Sequence, residues 1–483
     1  MTRKSPHRTA RIATAVVTVA ALTVLAACSS GNDTASTTPT ATSTAPTSPA
    51  AGSESASADA TTSEAATSEA GTTEPATSEA TSAAPGDNGG ATDTGVTAES
   101  ILLGTTQPLT GPAAPGYSKI SAAMKAYFDF VNENGGVNGR TIELTIADDG
   151  YNPANTAKLT RELVLQDEVF ALVGSLGTPT HTSVLDFVAQ NEVPDLFVSS
   201  GSRNWNQPDK YPTTFGWQPD YTVEGKILGN HVKNEFDGKK VCSFGQNDDF
   251  GADGVKGLEI ALGAGGIADK QTYTPTNTNV GPQIGALQAA GCEVVVLFSV
   301  PGFTALALGT AAQLQFAPQW VISSVGADIP TLTGFLKEAT VPLLEGAVSD
   351  SYLPVSTDTD NSWIAMFREI NDSHNGAAEF DGNVLYGMAL AFTTVQALQA
   401  AGPQLTREGL IAAVQKGGFT GPGRTPFRYS ETDHSGFSGS QIVVVEKGVA
   451  TPTGPVYVTD DTDAPLTEYT TEQPEAPANG LPG

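Results

Sequence analysis

The chain has 483 residues, with 24 Lys+Arg against 52 Asp+Glu, a formal net charge of −28 and 39% hydrophobic residues. That acidic balance argues strongly against nucleic acid and anionic lipid headgroups as partners. The five histidines are scattered without metal-ligand spacing, and no nucleophile elbow or phosphate-binding loop occurs, so neither metal nor hydrolase chemistry is indicated and no cofactor is expected.

The N-terminus is basic (Arg3, Lys4, Arg8, Arg11), and Ile12 to Ala27 is apolar apart from three threonines. A basic region, a short apolar run and small residues at its end describe a secretory signal peptide over 1–27. A run of sixteen residues is shorter than the roughly twenty that a membrane span needs. The end of the run, Leu25-Ala26-Ala27-Cys28, has the form of a bacterial lipobox. Residues 28–96 are read as a disordered tether rich in Ser, Thr, Ala, Glu and Pro. It offers almost nothing to bury and cannot offset the entropy of ordering. As a flexible coil it would reach on the order of 45 Å. Sugars on its Ser/Thr residues are compatible with that role.

The folded part runs from Thr97 to Val458 and is long enough for two domains. "SILLG" at Ser100–Gly104 reads as a buried strand. Tyr117 to Asn134 follows as an amphipathic helix, with Ile120, Met124, Tyr127, Phe128 and Val131 on one face and a stop at Asn134-Gly135-Gly136. "TIELTIAD" is a strand, and Asn152-Pro153 caps the next helix. "VFALVG", a helix over Pro179–Asn191 and "PDLFVS" complete the first run.

After Pro219 the rhythm restarts. A helix at Tyr221–Glu235 precedes "KVCSFGQ", a helix from Phe250, "QTYTP", a helix at Val280–Ala290, "CEVVVLFS", another helix and "QWVISS". Strands alternating with helices at this spacing predict α/β architecture with two doubly wound parallel-sheet lobes. Ligands would lie at the carboxyl ends of the strands. Cys242 and Cys292 begin the first and third strands of the second run. They would be neighbours in the sheet, within reach of a disulfide, with two buried thiols as the alternative. The acidic, Pro-rich end, 459–483, is read as a disordered tail.

Taken together, PLTG at Pro108, VNENGGVNGR ending at Arg140, ADD at Ala147, YNP at Tyr151, FALVGSLGT at Phe170, VPDLFVSSGS at Val193, Asp249-Phe250-Gly251 and EFDGNVLYGMALAF at Glu379 resemble one family. It is that of the type I periplasmic solute-binding proteins of ABC importers, the branched-chain amino-acid (Leu/Ile/Val-binding) group in its lipoprotein form. The resemblance spans nearly all of 97–458. It implies lobe 1 from 97–219 and 345–421, and lobe 2 from 220–344 and 422–458, with crossovers near Pro219, Leu344 and Gly421. A ligand cleft would lie between lobes that close about a hinge.

The lipobox similarity implies a lipid on Cys28 and an extracytoplasmic, membrane-anchored monomer. It would serve an ABC permease and its ATPase. Import of an amino acid, carboxylate or amide is the leading reading, and a sensory module that reports ligand to a signalling partner is the alternative. Cleavage before Cys28 would remove four basic residues and no acidic ones, leaving the mature chain more acidic still.

Carried onto this sequence, the family's carboxylate-receiving loops fall on Thr178, Ser199, Ser200 and Ser202, which could equally serve as caps and turn residues. Phe250, and with less weight Tyr117 and Phe303, would wall the cleft. One departure concerns the ligand. Family members place an acid for the ligand ammonium after the strand that corresponds to "QWVISS". Here that place reads Ser323-Ser324-Val325-Gly326-Ala327, with Asp328 beyond it. The expectation is therefore a ligand whose amine, if present, lacks its usual partner.

Overall fold

The computed structural model describes residues 88–337 and 342–483. The expected signal peptide, Cys28 and the tether up to residue 87 lie outside these residues.

A five-stranded parallel sheet is built from β1 (Ser100–Gln107), β2 (Thr141–Asp148), β3 (Ala171–Val173), β4 (Asp195–Val198) and β5 (Thr214–Gly216), in the order β2-β1-β3-β4-β5. Its crossovers carry α1 (Ala114–Glu133), α2 (Pro153–Leu165), α3 (Thr178–Thr182) and α4 (Leu185–Gln190). In α1 a kink at Pro115-Gly116 precedes a regular helix, and Ile120, Met124, Tyr127, Phe128 and Val131 are all buried, as their spacing predicts. At the turn after α1, Gly136 has φ 66°, and an added Cβ would sit 1.9 Å from the Arg140 carbonyl oxygen, so only glycine fits. Asn152 caps α2 through the Ala154 N–H, with Pro153 in the first turn. The helix expected over 179–191 is two short helices, broken at Ser183-Val184.

The second lobe holds α5 (Tyr221–Glu235), β6 (Val241–Gln246), α6 (Asp249–Leu262), β7 (Asp269–Tyr273), α7 (Gly281–Ala289), β8 (Val294–Phe298), α8 (Pro301–Gln313), β9 (Gln319–Ile322), α9 (Ile329–Leu336) and β10 (Val348–Ser351). The chain then returns to the first lobe for α10 (Ser362–His374), α11 (Gly382–Ala401) and α12 (Arg407–Lys416). It ends with β11 (Gly439–Glu446), β12 (Val449–Val458) and β13 (Thr467–Glu468). The second sheet runs β13-β12-β11-β10-β9-β8-β6-β7, parallel from β7 to β10 and antiparallel beyond. Strand β8 is buried along its whole length, as a parallel strand covered on both faces must be. Helix α11 is long and apolar enough to cross a membrane, but 78% of it is buried, and it packs against α1 as the core helix of lobe 1.

Three sequence-based boundaries change. Strand β10 pairs with β9 and β11 in the second sheet, whereas the reading from sequence placed 345–351 in lobe 1. The return to lobe 1 follows Ser351, because Val348 continues the parallel register from Val321.

The tail is ordered. Lys226, 1% exposed, directs its Nζ at the Thr459 hydroxyl and the carbonyls of Asp460, Thr462 and Ala464 at 2.7–2.8 Å. Further on, Trp363 Nε1 donates to the Pro474 carbonyl (2.6 Å) and Tyr127 Oη to that of Gly480 (2.8 Å). A Pro-rich strand with few apolar side chains is thus held through its backbone oxygens by donors on the folded body.

The end of the tether, 88–96, is also packed. Arg140 donates to the Asn88 and Gly90 carbonyls, and Val96 is buried. Cys242 and Cys292 form a disulfide, with Cα atoms 5.8 Å apart beside the β6–β8 pairing.

Candidate functional site

The two lobes face each other across a cavity of about 450 Å³, within the range of about 300–1,000 Å³ usual for small-molecule sites. The lobes are drawn together over it. Tyr117 Oη of lobe 1 donates to the Val325 carbonyl of lobe 2 at 2.8 Å, and Gln246 Nε2 of lobe 2 donates to Tyr151 Oη of lobe 1 at 3.2 Å. The Gly382 N–H donates to Asp328 Oδ1 (3.0 Å), Asn204 Nδ2 to Asp249 Oδ2 (2.8 Å) and the Arg203 N–H to Asp253 Oδ2 (3.1 Å). Five hydrogen bonds thus run from one lobe to the other.

Four of the seven sequence-predicted residues line the cavity: Tyr117, Thr178, Ser199 and Phe250. Ser199 follows β4, and its hydroxyl is buried with no hydrogen-bond partner. The Thr178 hydroxyl shares a 2.7 Å hydrogen bond with that of Ser200. Phe250, capped into place by Asp248 at the start of α6, packs against Tyr221 and Phe298 and presents an apolar wall.

The other three do not reach the cavity. Ser200 turns away behind Thr178 and gives its carbonyl to Trp205 Nε1. Ser202 caps a short helical turn through Asn204 N–H, and its hydroxyl faces Asp253. Phe303 stacks on Tyr273 at 4.0 Å inside lobe 2, and Val300 takes the position on the wall. Past residue 199 the chain leaves the sheet to enter the edge of the lobe interface. That exit is why a run of hydroxyl residues contributes one serine and not three.

Sequence reasoning missed the aromatic ring of the cavity (Tyr151, Tyr221, Tyr352, Tyr386) and its acids. Tyr151 sits at φ 60°, a left-handed conformation uncommon for a bulky side chain, beside the cavity. Tyr386 Oη donates to Gln218 Oε1 at 3.1 Å at the hinge. Asp328 is fully used: it accepts from the Thr331 N–H and hydroxyl and from Gly382 and Asn383. It therefore links α9 to the start of α11.

Glu224, on α5 and 2% exposed, accepts from the Ser323 hydroxyl (2.8 Å) and from the Ser324 N–H (2.7 Å) and hydroxyl (2.6 Å). Asp350, on β10 and 3% exposed, lines the cavity and lies beside the Glu224 carboxyl, with the Ser440 side chain and the Ser324 backbone next to it. Burial first, and then the charge of Glu224, push the Asp350 carboxyl well above the usual carboxylate range. The place after "QWVISS" carries no acid, as the sequence reads, but these two acids lie next to it. They come from α5 and β10 and reach the place beside Ser323-Ser324. The signal available in the sequence was a single charged residue inside the otherwise uncharged strand run "AVSDSYL".

The periplasmic binding protein family matches residues 100–450. The chain belongs to that family: it is an extracytoplasmic solute-binding protein, and its ligand is a small molecule. Among similar proteins, Leu/Ile/Val-binding protein homolog 1 of Brucella suis is 24% identical over 334 residues, which cover 66% of this chain and 83% of that one. A further Brucella homologue is matched over 53% of its own length. A fatty acid ABC transporter substrate-binding protein from Thermomonospora curvata superposes with TM-score 0.70 at 23% identity, over 80% of this chain and 100% of that one. A branched-chain amino acid ABC transporter protein from Thermus thermophilus with bound valine gives 0.68 at 21%, over 75% and 97%.

Proposed function

We propose that this protein is the lipid-anchored receptor of an ABC importer. It captures a small polar solute between its lobes and presents it to a membrane permease, without converting it chemically. The observation that carries this reading is the 450 Å³ cavity closed over by hydrogen bonds from one lobe to the other, Tyr117 to Val325 foremost. Ser199 and Thr178 are the hydroxyls offered to the ligand by lobe 1, and Tyr117 and Phe250 are its apolar walls. A lipid on Cys28 and the residues that follow it would keep the lobes near the permease at high effective concentration while leaving them free to turn.

The relatives named for Leu/Ile/Val binding and the neighbour that holds valine favour an amino acid. The neighbour named for fatty acids shows that proteins of this fold differ in ligand. Two experiments test the reading. A thermal-shift screen over amino acids, aromatic acids, amides and polyamines should find a solute that stabilises the protein. Cys28→Ser should move the protein from the detergent phase to the aqueous phase, and partitioning that matches wild type would contradict the anchor.

A further inference from the structure

We infer that residues 459–483 form a strap that crosses from the second lobe to the first and limits how far the two can swing apart. This rests on the reading of the lobes as a solute trap that opens and closes, and it adds the part that sets the range of that movement.

Up to Tyr469 the segment belongs to the second lobe. Lys226 of α5 holds the carbonyls of Asp460, Thr462 and Ala464, β13 pairs with β12, and the Tyr469 N–H donates to the Val456 carbonyl at 2.8 Å. From Gln473 onward its partners lie on helices of the first lobe or at their caps. Asn361 Nδ2, at the cap of α10, donates to Gln473 Oε1 (3.0 Å) and Trp363 Nε1 to the Pro474 carbonyl (2.6 Å). The Ala476 N–H donates to the Ser362 hydroxyl (3.0 Å), and Tyr127 Oη of α1 to the Gly480 carbonyl (2.8 Å). Arg203, between β4 and β5, adds an earlier tie from the first lobe, its Nε donating to Asp461 Oδ2 at 2.7 Å.

Only Thr470, Thr471 and Glu472, all exposed, separate the two sets of anchors. The four steps from Tyr469 to Gln473 span at most about 14 Å when fully extended. Pro474 and Pro477 then fix φ, and Pro-rich chain is semi-rigid, so the link has little length to give. It also runs beside the connections that join the two sheets. Asn361 ends the stretch from β10 to α10, and Gln473 Nε2 donates to the carbonyl of Pro422, on the stretch from α12 to β11. Swinging the lobes apart must therefore pull the segment off the first lobe or be stopped by it.

The test reads the distance between spin labels on Ala154→Cys and Thr276→Cys, in the full chain from residue 28 with Cys28→Ser and without solute. Both positions are exposed and lie just past the carboxyl ends of the edge strands β2 and β7, so they move apart as the cleft opens. A flexible Gly/Ser insert with a protease site, placed between Thr471 and Glu472, gives the strap slack, and cutting it after folding frees one half from the other. The mean distance should lengthen by several ångströms, with a broader distribution, in the variant or once it is cut. Trp363→Phe, which keeps a ring and deletes the donor to Pro474, should shift the mean in the same direction by less. Distributions that superpose on the uncut wild type before and after cutting, or that move to shorter distances, would overturn the inference. The broader reading fails separately: silence across the thermal-shift screen removes solute capture and leaves the label distances to decide the strap, whereas solutes that bind with unmoved distances remove the strap alone.

Discussion

Tyr117 Oη, from the start of α1, donates a 2.8 Å hydrogen bond to the carbonyl oxygen of Val325, just past β9 in the opposite lobe. The side chain also lines the cavity, so one residue both touches the ligand space and fastens the lobes over it. Tyr117→Phe deletes the hydroxyl and keeps the ring. A neutral hydrogen bond is worth about 0.5–1.5 kcal/mol. The variant should therefore leave the unfolding temperature almost unchanged while raising the mean radius of gyration in solution scattering, as more molecules open. Scattering curves that superpose on wild type would show that this contact does not hold the closed form.

The C-terminal segment is a structural part. Lys226 meets four oxygens of 459–464, and Trp363 and Tyr127 hold 474–480 against lobe 1. Lys226→Met would leave those oxygens without their donor, at a cost of about 1–3 kcal/mol. The variant should be cut in 459–470 by a protease of broad specificity under conditions where wild type resists. Equal resistance would contradict the role given to Lys226.

The Cys242–Cys292 disulfide joins β6 to the residues just before its neighbour β8, across a sequence separation of 50. In the chain-entropy account, a loop of that length contributes roughly 4 kcal/mol by restricting the unfolded state, with 2–4 kcal/mol typical in practice. Replacing both cysteines with alanine should lower denaturant stability by that order. Mass spectrometry of the unreduced wild type should find no alkylatable thiol in this pair.

Asp220 caps α5 at the hinge, accepting from the Thr222 N–H at 2.6 Å, and is 7% exposed. Burial, and next the charge of Asp253, raise its pKa to about 7. The folded form thus binds this proton more tightly than the unfolded chain does. The group costs no stability below its unfolded pKa, and the cost grows as pH rises from about 4 to about 7 and is complete above that. Asp220→Asn keeps a capping oxygen and removes the charge. It should stabilise the protein at pH 8, by roughly 4 kcal/mol at most, and far less at pH 4. The same gain at both pH values would contradict the assignment.

Much of this fold was legible because its signals are local. The spacing of Ile120, Met124, Tyr127, Phe128 and Val131 fixes the buried face of α1, and the apolar run of β8 marks a covered strand. What misled was composition read without partners. The tail looks unable to fold because it has few apolar side chains, yet its backbone oxygens are taken by Lys226, Trp363 and Tyr127, residues more than one hundred positions away. Strand β10 was assigned to the wrong lobe because pairing with β9 and β11 depends on tertiary register and leaves no mark in the strand itself. The site divides in the same way. Motif order located Thr178 and Ser199, but Glu224 and Asp350 meet from separate elements, and only the fold brings them together.

The central claim is that a solute is held between the lobes, at the cavity into which Ser199 faces. The most direct measurement is a thermal shift with the solute panel on wild type and on Ser199→Phe, which places a ring at a position lining the cavity, each read against its own ligand-free melting temperature. A solute at ~100 times its Kd adds about 2.7 kcal/mol, so at least one should raise the melting temperature of wild type by several degrees and leave that of Ser199→Phe unmoved. A solute that stabilises both proteins equally would place binding outside the cleft and contradict the account.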